Sequence, residues 1–322
     1  MRAVQVVRLD GPLGVDVVDV PEPTSSEGQV LVDVHAVGVS FPDLLLSAGQ
    51  YQLKPDVPFT LGVDLAGTVR EAPAGSGFGA GDRVAGVLPY GAGADVVALD
   101  TESVFPLPDN MSFEQGAALP MNYLTAQFAL ATRGRVEKGE IVLVHGAAGG
   151  VGTACIQVAT GYGARVIAVV STAEKGEFAR SAGADDVVLL DGFLEQVKGL
   201  TGGEGVDIVV DVVGGDVMTD SLRSLNTQGR LLVVGFAAGE IPQVRVNRLL
   251  LNNVDVRGVG WGAYAMVRPG YMREQWQELL PMMGSGAVSP AIARTYPLDE
   301  VRAALTDMAE RRTLGKSVLV LR

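Results

Sequence analysis

Up to about residue 120 the apolar positions fall in short runs of strand length, RAVQVV, GQVLVDVHAVGVS, LAGTVREA, GDRVAGVL and ADVVAL, broken by Gly and Pro. Short strands with frequent turns predict a twisted or barrel-like antiparallel domain. From about residue 121 the rhythm changes. Helical patterns now alternate with apolar runs, IVLVHG, RVIAVVS, DDVVLL, VDIVVDVVG, GRLLVVGF and VDVRGVGW. Such alternation predicts a parallel sheet covered by helices on both faces. EQWQELLPMMGSGAVSP then reads as helix, and EVRAALTDMAERRTLGKSVLVLR as helix, turn and strand. That last strand is more like the opening domain than the middle one. The fold class is therefore α/β, with a doubly wound domain at 121–262 inserted between two parts, 1–120 and 263–322, of a β-rich domain.

The first strand of the alternating region runs into a glycine-rich turn, IVLVHGAAGGVG. A strand that ends in small residues and opens a helix turns backbone N–H groups, and the positive end of the helix dipole, toward an anion such as a pyrophosphate. Gly149 and Gly152 take the second and third glycine positions of the Gly-x-Gly-x-x-Gly fingerprint, with Gly150 and Val151 between them. Ala147 stands at the first, a departure from the strict pattern. Glycine turns also end strands for purely conformational reasons. The helical TACIQVATGYG after the turn, and a further strand within a ~30-residue unit, favour a dinucleotide site.

The next strand bears on which dinucleotide. An NAD site carries an acidic residue about 20 positions on, bonded to the ribose 2′-hydroxyl, whereas this strand ends VVSTAEK. The hydroxyl of Ser171 and the cation of Lys175 suit a 2′-phosphate, so NADPH is favoured over NADH. Lys175 has a second reading as a solvated lysine in a helical first turn, and Glu174 beside it weakens the electrostatic case.

Composition removes several classes. The chain has 322 residues, enough for about two domains, and a formal net charge of -12, which repels polyphosphate chains and excludes nucleic acid as a partner. A single cysteine, Cys155, excludes a disulfide framework or a cysteine-rich zinc site and reads as a small packed hydrophobe. Asp10, Asp16 and Asp19 interrupt the opening stretch where a leader would need an apolar core, and no run approaches a membrane span. A soluble cytoplasmic protein without membrane contact is expected.

Taken in order, GVSFPDLLLSAGQY, PFTLGVDLAGTV, GDRVAG, PMNYLTAQFAL, VLVHGAAGGVGTACIQVA, STAEK, GADDVV, VDIVVDVVGG, GRLLVVGF and GKSVLVL make the chain resemble the medium-chain dehydrogenase/reductase superfamily. The resemblance is strongest to its zinc-free quinone oxidoreductase (zeta-crystallin-like) branch and covers nearly the whole length. It implies a GroES-like catalytic domain at 1–120 and 263–322 and a Rossmann NADP(H)-binding domain at 121–262. Zinc-dependent relatives carry a Cys shortly after the GV that here precedes Ser40, and a His-Glu pair where this chain has Val63 and Asp64. Catalytic zinc needs about three protein ligands. With Ser40 and Val63 at those positions, and His35 and His145 the only histidines, no metal is expected. His145 reads as structural, and His35 is assigned no role.

Without a Lewis acid, alcohol oxidation lacks a strong means of making an alkoxide, whereas reducing an electron-poor quinone or enone needs orientation and modest hydrogen bonding. The expected function is zinc-independent, NADPH-dependent reduction of quinones or α,β-unsaturated carbonyls. An enoyl thioester reductase and a non-catalytic NADPH-binding structural or sensor protein are the alternatives.

Carried over by position, the resemblance gives Ser40, Tyr51 and Thr125 as the catalytic set. Thr125 matches a Thr lying against the nicotinamide, and Ser40 stands where many relatives have an Asn contacting the nicotinamide ribose or the substrate carbonyl. Tyr51 matches a Tyr beside the substrate, or is an aromatic packing a loop. Phe236 matches an aromatic near the cofactor. Lys316 either faces the substrate or the cofactor phosphates, or is a plain turn lysine. Some NADPH-dependent relatives place a Tyr near the 2′-phosphate where this chain has Leu190 and Asp191. Trp261, Tyr264, Met266 and Tyr271 either cover a planar acceptor or pack internally. The family commonly dimerises through its last Rossmann strand, here NVDVRGVGW, so a homodimer is expected.

Overall fold

The computed structural model describes residues 1–322. Eight strands come first: β1 (Arg2–Val6), β2 (Val15–Asp19), β3 (Gln29–Val39), β4 (Phe59–Thr60), β5 (Asp64–Glu71), β6 (Arg83–Val87), β7 (Val96–Asp100) and β8 (Val104–Pro106). Two short helices accompany them, α1 (Phe41–Ser47) and α2 (Phe113–Ala118). A third, α3 (Thr125–Gln127), leads into six strands: β9 (Ile141–His145), β10 (Arg165–Val170), β11 (Asp186–Leu189), β12 (Val206–Asp211), β13 (Leu225–Val233) and β14 (Asp255–Gly258). Between these lie α4 (Gly150–Gly161), α5 (Ala173–Ser181), α6 (Phe193–Leu200), α7 (Val217–Ser224) and α8 (Asn247–Asn252). After further helices the chain ends with β15 (Ile292–Pro297) and β16 (Lys316–Val320). No helix is long and apolar enough to cross a membrane.

The chain forms two compact units. The first comprises Met1–Asn122, Pro269–Leu280 and Ser289–Arg322, and the second Tyr123–Arg268 and Pro281–Val288. In the first, β2-β1-β4 makes a small sheet and β15-β16-β3-β5-β6-β8 a larger one, with β7 also paired to β3. Its backbone is the long β3, whose near-continuous burial follows from having strands on both edges. The closing strand pairs antiparallel with β3, Ser317 opposite Val39 and Val318 opposite Gly38, so β16 lies in the sheet of the opening strands. β3 and β5 pair with Gly38 opposite Asp64. Lys316, Ser40 and Asp64, far apart in sequence, therefore meet at one level of three adjacent strands.

The second unit holds a six-stranded sheet in the order β11-β10-β9-β12-β13-β14 with every pair parallel. This is the doubly wound arrangement, and its order reverses between β9 and β12; in such sheets ligands bind at the carboxyl ends of the strands beside that switch point. Leu143, Ile167, Val209 and Leu231 are fully or almost fully buried, as strands covered on both faces require.

Candidate active site

β9 delivers the chain to Gly146, which turns at φ +60°, a conformation that disfavours any side chain. The left-handed residue of the turn thus lies one position before Ala147, which is fully buried. The glycine directly after the strand was the signal for it, and the fingerprint spacing hid it. Gly149 caps α4 at φ -87°, and a Cβ there would meet only the Gly146 oxygen, at 3.4 Å. Gly152 differs sharply: its Cβ would fall 2.2 Å from the same oxygen and 2.8 Å from Ala147 Cα. Gly152 therefore lets the helix pack on the turn, while Gly149 leaves the space outside it clear. The N–H groups of Gly150, Val151 and Gly152 open a twelve-residue helix and have no acceptor within it. Together with the helix dipole they suit a pyrophosphate.

At the end of β10, Thr172 caps α5 by accepting from the Lys175 N–H at 3.3 Å. The cap brings the Lys175 side chain back over the strand end, where Nζ donates to Ser171 Oγ at 3.2 Å. A hydroxyl and an ammonium are thus paired at the position next to the turn of β9. The Leu190 N–H donates to the Val170 carbonyl at 2.8 Å, which holds the backbone of Leu190 at the end of β10, and its side chain is exposed.

Thr125 is the only residue from Asn122 to Leu130 that is not buried. It sits in α3 between two wide, π-type turns, Pro120–Leu124 and Phe128–Gly134, a backbone irregularity frequent at functional sites. Phe236 is partly exposed and packs on Gly214, where a Cβ would come 2.9 Å from the ring; Gly214 turns at φ +69°. Trp261 is buried, and Tyr264 packs on Phe128 at 5.0 Å under the Arg268 guanidinium.

Two buried groups end the strands that flank the switch point. His145 Nε2 lies 2.8 Å from Ser221 Oγ, and the Phe193 ring meets the imidazole edge-on. Asp211 Oδ1 accepts from the N–H groups of Val213 and Gly214, each at 2.9 Å, and so shapes the loop on which Phe236 packs. His145 Nδ1 and Asp211 Oδ2 have no protein partner. Burial pulls the His145 pKa down to about 4, against a smaller opposing effect of Asp211. The fold therefore binds the neutral ring, and this contribution is complete above pH ~6.5 and lost as pH falls toward about 4. Stability should drop by about 3 kcal/mol across that window. His145→Gln, which cannot titrate there, should flatten the slope; an unchanged slope in pH-dependent denaturant melts would contradict the assignment.

In the first unit Ser40 follows β3 and precedes α1. Its N–H donates to Asp43 Oδ2 at 2.8 Å, and Asp43 Oδ1 accepts from the Gly62 N–H at 3.1 Å. Burial pushes the Asp43 carboxyl up to about 7. Ser40 Oγ donates to Asp64 Oδ2 at 2.9 Å, and Asp64 Oδ1 accepts from the Met121 N–H at 2.7 Å. Lys316 is 4% exposed; its Nζ donates to Asp64 Oδ2 at 2.6 Å and to Ser40 Oγ. Its ammonium is thus engaged inside the opening domain. Tyr51 is half-buried, its pKa raised by burial and then by Asp43. Val63 brings a buried aliphatic side chain to the strand end. Phe41, next to Ser40 in the chain, is exposed, as are Leu53, Val57 and Tyr90 of the same unit, the last edge-on to Phe59.

Comparison with known proteins follows the same division. Residues 26–109 match the alcohol dehydrogenase GroES-like domain, and residues 150–285 match the zinc-binding dehydrogenase family. Quinone oxidoreductase-like protein 2 of Rattus norvegicus is 39% identical over 325 residues, covering 100% of this chain and 92% of its own. A crystal structure of a probable oxidoreductase from Mycobacterium abscessus is 43% identical, with a TM-score of 0.92 over 100% of this chain and 99% of that one. The quinone oxidoreductase of Escherichia coli, solved with NADPH, is 30% identical, with a TM-score of 0.90 and full coverage of both chains. With that identity over its full length, a GroES-like domain and a doubly wound sheet, the chain belongs to the quinone oxidoreductase branch of the medium-chain dehydrogenase/reductase superfamily.

Proposed function

We propose that this oxidoreductase reduces quinones or α,β-unsaturated carbonyls with NADPH and without a metal. One observation carries the reading: the Gly149–Gly152 helix start and the Ser171–Lys175 pair end adjacent strands, suiting a pyrophosphate and a 2′-phosphate. Bound NADPH would supply the hydride, the chemistry being the cofactor's own. The chain contributes position: in the second unit Thr125 is the one open side chain of its helix and Phe236 packs on the Gly214 loop, and in the first unit Phe41 and Tyr90 are exposed apolar side chains that suit a flat acceptor. The donor set supports independence from zinc, because Ser40 and Val63 offer no thiolate or imidazole, and Asp64 is already saturated by Lys316, Ser40 and Met121. A buried free thiol, Cys155, suits a reducing cytoplasm. The acceptor class is tested by initial rates with a benzoquinone, an enone and a crotonyl thioester. Quinone or enone turnover is expected to dominate; a dominant thioester rate would move the assignment to an enoyl thioester reductase.

The active species is a homodimer joined through β14. This strand is the open edge of the parallel sheet, and α8 just before it exposes Leu250 and Leu251 at 77% and 74%. Such an edge invites pairing with a second copy. Asp255 and Arg257 share one face of β14, where they form an ion pair within the strand that a second copy would exchange for one between copies. Antiparallel pairing of two copies about Val256 sets each Asp255 opposite the partner's Arg257, an attractive cross-strand pair. Light scattering at micromolar concentration should give a dimeric mass for the wild type and a monomeric one for Arg257→Asp, which opposes like charges. A monomeric wild type would remove the claim.

A further inference from the structure

The ion pair inside the opening domain is unexplained by folding alone. Lys316 and Asp64 are 4% and 0% exposed, and a buried pair of this kind is often no more stabilising than apolar residues of the same volume. The sheet is also built around it. Lys316 and Asp64 lie on strands either side of β3, so the lysine must cross β3 to reach the carboxylate. Gly38 is the crossing point: a Cβ there would lie 2.7 Å from Lys316 Cε, 3.0 Å from Asp64 Cβ and 2.1 Å from the Ala117 oxygen. A residue with a side chain at 38 would close that path.

The hydrogen inventory then fixes directions. An ammonium has only donors, so Ser40 Oγ accepts from Lys316, and the hydroxyl's single hydrogen points elsewhere, to Asp64 Oδ2. A hydroxyl that accepts from a cation is a stronger donor than a free one. Ser40 is itself buried, at 3% exposure, but lies in sequence beside the exposed Phe41, and the half-buried Tyr51 senses the charge of the nearby Asp43.

We propose that Lys316 is a positioning residue for the reduction: carried over Gly38, its ammonium holds the Ser40 oxygen so that the hydroxyl's one hydrogen, on Asp64 at rest, is donated to the acceptor's carbonyl oxygen during turnover, and it places a positive charge behind that oxygen. The proposal rests on the reductase reading. Reduction forms a C–H bond to the acceptor carbon from a hydride, breaks its π bond and leaves the electron pair on oxygen. Ser40 turns its hydrogen from Asp64 toward that oxyanion, which finally takes a proton from water, while Lys316 stays charged throughout. Preorganised donors of this kind act where charge develops rather than on the ground state.

The test compares Lys316→Met, Lys316→Arg and the double variant Lys316→Met/Asp64→Asn, with melting temperature, NADPH affinity by fluorescence, kcat and KM measured on each. Lys316→Met should melt lower, because it strands the buried Asp64 charge. The double variant, with both charges gone, should recover most of that melting temperature and still show kcat reduced about 100-fold, with KM and NADPH affinity within about threefold of wild type. Lys316→Arg should regain part of kcat. A double variant that is stable and turns over like wild type would overturn the proposal and leave the reductase reading intact. A wild type that oxidises no NADPH with any quinone or enone would instead take away the reading on which it rests.

Discussion

Gly149→Ala is expected to fold as stably as wild type and to lose NADPH affinity by about tenfold or more. The contrast with Gly152→Ala makes this result specific. At 149 the backbone is extended, and a new Cβ touches only the Gly146 oxygen at 3.4 Å, ordinary contact. Any loss must then come from what approaches the turn from outside. At 152 the Cβ would sit 2.2 Å from the Gly146 oxygen, inside the repulsive wall, so turn and helix must separate. Overpacking of this sort costs about 1–3 kcal/mol, and Gly152→Ala should lose both melting temperature and cofactor. Thermal melts with NADPH fluorescence titrations separate the cases. If Gly149→Ala binds NADPH as wild type does, the first turn of α4 does not face the cofactor.

Lys175→Ala should weaken NADPH binding about 10- to 100-fold while leaving NADH unchanged, the worth of one charge-assisted hydrogen bond to a phosphate. The Thr172 cap holds the lysine's backbone, and the Nζ contact with Ser171 shows where the ammonium rests. Deleting the side chain should therefore remove a phosphate partner without disturbing α5. Leu190 beside the strand end offers no polar contact in compensation. An unchanged ratio of NADPH to NADH affinity would return Lys175 to an ordinary surface role.

Much of this was legible along the chain because it is local. Apolar runs of six to nine residues gave the parallel strands, and the spacing of Gly149 and Gly152 gave the helix start, since strand, turn and helix are contiguous there. What was not legible depends on register. Ser40, Asp64 and Lys316 meet because β16 pairs with β3 and β3 with β5 at one level, and nothing near residue 316 announces a partner at 64. Lys316 was thus expected at the substrate or the cofactor phosphates or as a turn lysine, and its side chain is instead enclosed within the sheet. Gly38 looks like any glycine in a strand until a lysine is found crossing it. Gly146 was hidden differently, by a fingerprint that counts from the next residue. The open position of Thr125 depends on π-type turns, which hydrophobic periodicity does not register.

The most direct measurement is the initial rate of NADPH and NADH oxidation by chelator-treated protein with a benzoquinone as acceptor. Quinone-dependent oxidation faster with NADPH than with NADH, and undiminished by the chelator, is the expected result. NADPH binding without oxidation by any quinone or enone, or turnover that disappears with the chelator, would contradict it.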